Sequence, residues 1–388
     1  MTPKRIYLDY SATTPLDDDV RRAMDDAAAR TFGNPSSVHS YGREARALLE
    51  ESRETIAEEF HAAPDEVFFT SGGTESDNAA ILGVASWSAA AGRPRLLVSS
   101  VEHHAVLHAA RHARQWGAAL SELPVDGSGL LRMDALRGSL SSEVGLVSVM
   151  TVNNEVGTIQ PVAEVAGLAH KHGALFHTDA VQALGKIPID VRKDEVDLLS
   201  VSAHKLYGPK GIGALFIRKG TKVLPLLHGG GQESGRRPGT ENVALAVGFA
   251  ESVRRMRRDH DAFMTRLTAL REMLRQKIIA EFGDAVIVNG HPALVLPTIL
   301  SISFDATRLP VDGEALIMGM DLRGVAVTSG SACTSGSLQP SHVLLAMGRD
   351  ANTARATVRF SLGRLTSEED IAAAVEALRE SVTTARRT

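Results

Sequence analysis

Short apolar runs alternate with segments of helical periodicity along the chain up to residue 217. The runs are almost entirely apolar, which is typical of strands that helices cover on both faces of a parallel sheet. They lie at residues 66–70, 95–100, 145–150, 174–180, 197–203 and 211–217. The helical segments between them lie at residues 75–91, 103–116 and 161–172. This order predicts an α/β fold with a mainly parallel sheet flanked by helices.

The pattern changes after Thr240, where a long amphipathic helix follows. Its apolar face is formed by Phe263, Leu267, Leu270, Leu274 and Ile278. Strand-like runs then occur at 286–290, 299–304 and 356–362, and a capping box at Thr366–Glu369 starts a last helix. We therefore predict a large α/β domain over residues 15–258 and a smaller α+β domain formed by residues 1–14 and 259–388.

The composition excludes several classes of function. The 388 residues include 42 Lys and Arg against 46 Asp and Glu, a net charge of −4. This balance offers no basic surface for direct binding of nucleic acid or of a membrane. No apolar run approaches the ~18 residues of a membrane span. Cys333 is the only cysteine, so an intramolecular disulfide is impossible, and we expect a cytoplasmic protein in a reducing compartment.

Polar residues that follow the apolar runs are candidate site residues, because ligands of open α/β sheets bind beyond the carboxyl ends of the strands. After the first run, Gly72 and Gly73 precede an Ala-rich helix whose free N–H groups can bind an anion such as phosphate. A plain N-cap with a flexible turn explains this loop equally well. Asp179 ends the fourth run, where a poorly solvated carboxylate needs a partner such as a protonated ring nitrogen or a metal, although taken singly a helix cap is the favoured interpretation.

Lys205 follows the fifth run and precedes a Gly-Pro turn, so it does not lie on a solvated helix face. Desolvation lowers the pKa of a lysine and makes its amine available for Schiff-base chemistry. Lys210 is the competing candidate, but a lysine between Pro and Gly in a turn is more simply a solvated one.

Cys333 lies in a stretch rich in Gly, Ser and Thr that has no apolar periodicity. Most free cysteines are buried as small hydrophobic residues, but this setting is typical of an accessible, reactive thiol. A rival site is formed by His104, His108 and His112, which would share one helical face and could bind a divalent metal. No acidic residue accompanies them, so we interpret them as a solvated stripe and predict no metal site. His103 faces elsewhere and follows the second run, on the side where ligands bind.

Together these motifs resemble those of the cysteine desulfurases of the NifS/IscS type, which belong to the class-V aminotransferase group of fold-type-I enzymes that use pyridoxal phosphate. The resemblance covers nearly the whole chain, with the motifs in the family's order. They are Tyr7–Pro15, Phe32–Ser36, Thr70–Asn78, Asn153–Glu155, His177–Gln182, Ser202–Gly213, Gly229–Thr240, the Cys333 loop and Arg359–Arg364. The resemblance implies a fold-type-I transferase whose small domain carries the cysteine loop.

The resemblance also implies how pyridoxal phosphate is held. Lys205 would bind it covalently, and Asp179 would pair with its pyridinium nitrogen and so keep the ring an electron sink. Gln182 and Asn154 would hydrogen-bond on the side of the phenolic oxygen. His103 would stack on the ring and take the thiol proton of the substrate.

The phosphate group would be bound, on the same resemblance, by Thr74, Ser202 and His204. Thr240 would reach the phosphate from a second subunit. We therefore expect a homodimer.

For the reaction, the resemblance implies that Arg359 clamps the carboxylate of L-cysteine bidentately, with help from Asn34 and Asn154. Lys205 would move the α-proton, and the Cys333 thiolate would attack the substrate sulfur, which leaves L-alanine and an enzyme persulfide. The sulfur would then pass to an acceptor protein, such as an iron–sulfur scaffold or a tRNA thiolation factor. The short segment after the last helix leaves the identity of that acceptor open.

Two other functions stay open at this point. Another class-V enzyme that uses pyridoxal phosphate, such as an aminotransferase or a selenocysteine lyase, would share the cofactor site, but an aminotransferase would not need a mobile thiol. A protein without this cofactor, either a metal-dependent hydrolase built on the histidine stripe or a binding module, is the less favoured alternative.

Overall fold

The computed structural model describes residues 5–330 and 339–386 of the chain. The strands, in chain order, are β1 (Ile6–Tyr7), β2 (Val67–Thr70), β3 (Arg95–Ser99), β4 (Ala119–Leu123), β5 (Val144–Ser148), β6 (Leu175–Asp179), β7 (Leu198–Ser202), β8 (Gly213–Ile217), β9 (Val286–Asn289), β10 (Ile299–Phe304), β11 (Val325–Ala326) and β12 (Thr357–Ser361). The helices are α1 (Asp18–Arg30), α2 (Ser40–Glu59), α3 (Gly73–Ala90), α4 (His104–Ala113), α5 (Met133–Ser139), α6 (Val162–Lys171), α7 (Val243–Phe282), α8 (Gly313–Leu322), α9 (His342–Ala346), α10 (Ala351–Arg355) and α11 (Glu368–Ala385).

A seven-stranded sheet in the order β2-β8-β7-β6-β5-β3-β4 forms the centre of the larger part of the molecule. β8 runs antiparallel to both of its neighbours, and the other adjacent pairs from β7 to β4 are parallel. The prediction of a mainly parallel sheet flanked by helices is therefore confirmed. β4 was not among the predicted strands, because this half-exposed edge strand carries Ser and Glu and gives no apolar run.

Both faces of this sheet are covered by apolar side chains, because successive residues of a strand point to opposite faces. In β7, Leu199 and Val201 belong to one buried cluster. Leu198 belongs to a second cluster together with Ile81 of α3 and Leu107 of α4. The nearly continuous apolar runs in the sequence are explained by this double burial.

The C-terminal part contains a three-stranded antiparallel sheet in the order β12-β10-β9, with α8 and α11 packed against each other. β1 joins this part, since Ile6 pairs in parallel register with Val325 of β11. The predicted apolar face of α7, from Phe263 to Ile278, is buried as expected. α7 runs unbroken through residue 258, and one apolar cluster includes Phe249 as well as Leu378. The division into residues 15–258 and residues 1–14 with 259–388 therefore stays a proposal.

The cap of the last helix differs from the expectation by one residue. Ser367, not Thr366, is the N-cap of α11, and its capping box closes on Asp370. The Thr366 hydroxyl is instead occupied by a hydrogen bond from the Gly363 N–H, 3.0 Å away. None of the helices in the described ranges has the length and apolarity that a bilayer span requires.

A buried ion pair fastens the segment after β8 to the larger sheet. The guanidinium of Arg53 in α2 donates two hydrogen bonds to the Glu233 carboxylate, 2.7 and 2.8 Å long. Glu233 also accepts from the Phe69 N–H in β2, so its charge is satisfied on both sides. Arg53 also pairs with Glu50, whose side chain is about half exposed, so Glu233 is its buried counter-charge and Glu50 a more solvated one.

We expect Glu233→Gln to lower the free energy of unfolding by about 3 kcal/mol, because Arg53 loses its buried counter-charge and keeps only the half-exposed Glu50 as a partner. Urea denaturation followed by circular dichroism measures this loss. The matched control is Glu164→Gln, which removes the partner of Arg137 in an exposed pair and should change the stability by less than about 1 kcal/mol. Equal losses in the two variants would contradict the prediction.

Candidate active site

A cavity of about 360 Å³ lies at the carboxyl ends of the central strands, between the large sheet and β12. The predicted site residues that line it are Thr74, His103, Asn154, Asp179, Gln182, Ser202, His204, Lys205 and Arg359. Residues from both parts of the chain therefore meet in one place, as the order of strand ends in the sequence suggested.

Three predicted residues are not found in the lining of this cavity. Thr240 lines a different cavity of about 240 Å³, together with Thr70 and Glu233. Asn34 is an exposed turn residue whose side-chain oxygen accepts from the Ser36 N–H at 2.9 Å. Cys333 lies outside the described residues.

Lys205 ends a 3-10 turn, Ala203–Lys205, that follows β7 directly. Its Nζ donates to the backbone carbonyls of Ser11 and Ala12, at 2.5 and 2.7 Å. Burial, together with the nearby Arg359 guanidinium, lowers the pKa of Lys205 to about 8. A substantial fraction of the amine is therefore uncharged near neutral pH, which a nucleophilic lysine requires. The competing Lys210 is exposed and does not line the cavity.

Asp179 is the last residue of β6 and is buried at the floor of the cavity. Its Oδ1 accepts one hydrogen bond, from the Val181 N–H at 2.9 Å. Burial raises the pKa of Asp179 to about 6. A carboxylate in this setting favours a ligand that brings a positive charge, such as a protonated ring nitrogen.

The N-terminus of α3 opens onto the same cavity through Gly73 and Thr74. Its N-cap, Gly72, has a φ of +151° and provides no side chain to cap the helix. A Cβ on Gly73 would lie 2.7 Å from the Val181 side chain, so only glycine fits there. Ser202 lies beside this turn, since its Oγ is 3.8 Å from the place that a Cβ on Gly72 would take. Uncapped N–H groups at a helix N-terminus with a hydroxyl beside them form an anion site.

His103 is the N-cap of α4, and this role fixes the position of its proton. Nδ1 accepts from the Ala105 N–H at 3.1 Å, so the proton of the neutral ring is assigned to Nε2. Burial, with a smaller effect of Lys205, lowers the pKa of His103 to about 4. The ring is therefore neutral at physiological pH.

Arg359 lies in β12 with its guanidinium turned into the cavity. One Nη donates to the Asn154 carbonyl and the other to the Asp9 carboxylate, both at 2.8 Å. Its buried Nε has no hydrogen-bond partner among the described residues. A donor left free in this way suits a ligand with a carboxylate, which Arg binds through two parallel bonds. Asp9 received no role in the sequence analysis, although it belongs to the Tyr7–Pro15 motif.

Buried carboxyl groups around the site were also missed by the sequence analysis. Asp77 lines the cavity, and Glu102 lies beside His103; burial raises the pKa of both. Glu155 is buried next to Asn154 and accepts from the Ser341 hydroxyl at 2.5 Å. The motifs Thr70–Asn78 and Asn153–Glu155 contain acidic residues, which marks them as candidates. A sequence does not show, however, which acidic side chains are buried.

The histidine stripe does not form the group that a metal would need. His108 stacks on His104 with ring centres 4.9 Å apart, and His342 packs on His104 at 4.6 Å. His112 instead contacts Trp116 edge-on. Across the described ranges, no group of three or more His, Cys, Asp or Glu side chains is arranged to hold a metal ion.

Comparisons with known proteins agree on one family. The model of the family "Aminotransferase class-V" matches residues 6–374. The chain is 46% identical to the cysteine desulfurase IscS of Dictyoglomus turgidum over 95% of this chain and 92% of that protein. It is 43% identical to the cysteine desulfurase NifS of Azotobacter vinelandii over 94% and 90% of the two chains. A solved NifS-like protein superposes with a TM-score of 0.90, at 35% identity, covering 98% of this chain and 100% of that one.

We expect Lys205 in the cofactor-free protein to react with a small acylating reagent with a pH midpoint of about 8. Burial lowers the pKa of the amine, and a pKa of about 8 leaves about half of the amine uncharged, and therefore reactive, at pH 8. Mass spectrometry of the labelled peptide gives the midpoint. The control is the same peptide in urea-unfolded protein, where the midpoint should return to about 10.4. A midpoint in the folded protein that equals the unfolded one would contradict the prediction.

Proposed function

Because the chain belongs to the class-V aminotransferase family, we infer that it is a cysteine desulfurase, an enzyme that removes sulfur from L-cysteine and releases L-alanine. The observation that carries this inference is the convergence of three groups on one cavity. They are the amine of Lys205, the buried carboxylate of Asp179 and the buried guanidinium of Arg359. A site for an amino acid and an electron-withdrawing cofactor needs these groups together.

The family implies pyridoxal phosphate, and the residues present fit it. Asp179 is a buried carboxylate that accepts one N–H bond and has no ion pair among the described residues, which suits the ring nitrogen. The uncapped N-terminus of α3, with Thr74, Ser202 and His204, suits the phosphate. Gln182 and Asn154 are available to the phenolic oxygen. The cofactor would supply an electron sink for the bonds at the substrate Cα.

We propose that the side chains divide the remaining work as follows. Arg359 binds the substrate carboxylate, using the Nε donor that is free among the described contacts. Asn34 could assist only if its exposed turn closed over the site. Lys205 takes and returns the α-proton at Nζ, because its lowered pKa lets the amine act as a base near neutral pH.

His103 is proposed to exchange the thiol proton of the substrate. With Nδ1 engaged by the Ala105 N–H, the neutral ring donates at Nε2. Taking a proton at Nε2 requires the other tautomer, in which the capping bond is released. Proton transfer by His103 is therefore coupled to the making and breaking of the hydrogen bond that caps α4.

Cys333 is proposed to attack the substrate sulfur as a thiolate. A sulfur–sulfur bond forms on Cys333 while the carbon–sulfur bond of the substrate breaks, and the carbon fragment leaves as L-alanine. The terminal persulfide sulfur is then passed to an acceptor protein, for which an iron–sulfur scaffold or a tRNA thiolation factor is our proposal.

A homodimer is proposed as the active form. Thr240 lines a cavity other than the one that contains Lys205, so within its own chain it is not part of the site. A residue that binds the phosphate in the partner subunit would lie away from the site of its own chain in this way. A cytoplasmic location rests on the single cysteine of the sequence.

We expect the wild-type protein to release alanine from L-cysteine under a thiol reductant, and Cys333→Ala to release it about 100-fold more slowly or not at all, because the nucleophile is missing. Alanine assay by chromatography measures both rates. Lys210→Ala is the control and should behave like the wild type. Equal turnover in wild type and Cys333→Ala would point to a lyase, such as a selenocysteine lyase, that needs no enzyme thiol.

We expect Arg359→Lys to raise the KM for L-cysteine by about 10- to 100-fold, because an ammonium cannot give the two parallel bonds that a guanidinium gives to a carboxylate. Steady-state kinetics measure KM and kcat separately. Arg379→Lys, on the exposed face of α11, is the control. A normal KM with a lowered kcat would show that Arg359 does not bind the substrate carboxylate.

A further inference from the structure

Lys186 is a buried lysine that the proposed reaction does not use. It follows β6 by seven residues and is 8% exposed. Burial, and secondarily the charge of Lys205, lowers the pKa of Lys186 to about 7. Lysines are almost never buried without a carboxylate partner, yet no ion pair of Lys186 occurs among the described residues. Its Nζ instead donates to the side-chain oxygen of Gln182 at 3.2 Å.

This bond determines which way the Gln182 amide faces. The protonated ammonium of lysine has only donor hydrogens to offer to an amide, so in this form of Lys186 the Gln182 oxygen must face it. On the other side, Gln182 Nε2 donates to the Ser11 carbonyl at 2.9 Å. The two contacts demand the same orientation. One of the two Nε2 hydrogens is used by Ser11, and the second is left for a ligand of the cavity that Gln182 lines.

The same Ser11 carbonyl accepts from Lys205 Nζ at 2.5 Å. Lys186, Gln182, Ser11 and Lys205 therefore form one continuous series of hydrogen bonds. A small internal cavity of about 10 Å³ is lined by both lysines and by Ser11. A change at Lys186 can reach Lys205 through this series without contact with any ligand.

We propose that Lys186 is a positioning residue: it fixes the Gln182 amide with its NH2 group toward Ser11 and the cavity, and so sets the hydrogen bond that Gln182 gives to the ring oxygen of bound pyridoxal phosphate. This role rests on the proposed function, because it assumes that the cofactor occupies the cavity. Lys186 itself does not line the cavity, and it acts through Gln182, which does.

The test is a spectroscopic pH titration of the loaded protein, which does not depend on turnover. We expect Lys186→Met to move the pH midpoint of the visible absorption change of bound pyridoxal phosphate upward by about 0.5 to 1 unit, because the ring oxygen loses a donor that favours its ionised form. Lys186→Gln keeps an NH2 donor for Gln182 without a charge, and its midpoint should return toward that of the wild type. Lys171→Met, at an exposed site on α6, should leave the midpoint unchanged.

The outcomes separate the alternatives. An unchanged midpoint in folded, loaded Lys186→Met would overturn the role, and would leave Lys186 as a packing residue that affects only the melting temperature. A midpoint in Lys186→Gln as displaced as that of Lys186→Met would also overturn it, since the charge rather than the orientation would then matter. If Lys186→Met does not fold, Gln182→Leu removes the other partner of the same hydrogen bond. An unchanged midpoint in Gln182→Leu would also overturn the proposed role of Lys186. A wild-type protein that takes up no pyridoxal phosphate would instead contradict the proposed function.

Discussion

The site depends on two opposite charges that are held beside each other where they cannot be fully solvated. β6 and β7 pair in parallel, and Asp179 at the end of β6 lies opposite Ser200 of β7, shortly before Lys205. Apolar clusters on both faces fix these strands, so neither charge can move into water without disrupting the core. Burial consequently raises the pKa of Asp179 and lowers that of Lys205. One constraint thus produces both an amine that loses its proton more easily than an ordinary lysine and a carboxylate that favours a cationic ligand.

The N-terminal segment connects the strand ends of the large sheet with the small sheet. Its backbone carbonyls at Ser11 and Ala12 accept the hydrogen bonds of Lys205, and its Asp9 binds Arg359. β1, just before it, is paired with β11 in the C-terminal part. The same short segment contacts both the amine of Lys205 and the guanidinium of Arg359. It therefore sets the distance between these two groups.

Glu155 lies close to described residues on both sides of the segment that contains Cys333. Ser341, which follows that segment, donates to its carboxylate, and a Cβ on Gly330, which precedes it, would lie 2.9 Å from the same oxygen. Glu155 is the neighbour of Asn154, whose carbonyl accepts from Arg359. Described residues on either side of the cysteine segment therefore lie beside the turn that also holds the guanidinium.

The sequence by itself determined the α/β class, the apolar face of α7 and most of the predicted residues that line the cavity, because double burial of strands and the position of polar residues at strand ends are local patterns. It did not determine the half-polar edge strand β4, the N-cap at Ser367, or the burial and contacts of Asp9, Glu155 and Lys186. These depend on contacts between residues far apart in the chain, such as Arg359 with Asp9 and Lys205 with Ser11. Burial and hydrogen-bond partners, which decide whether a charged side chain is surface decoration or part of a site, exist only once the tertiary structure has formed.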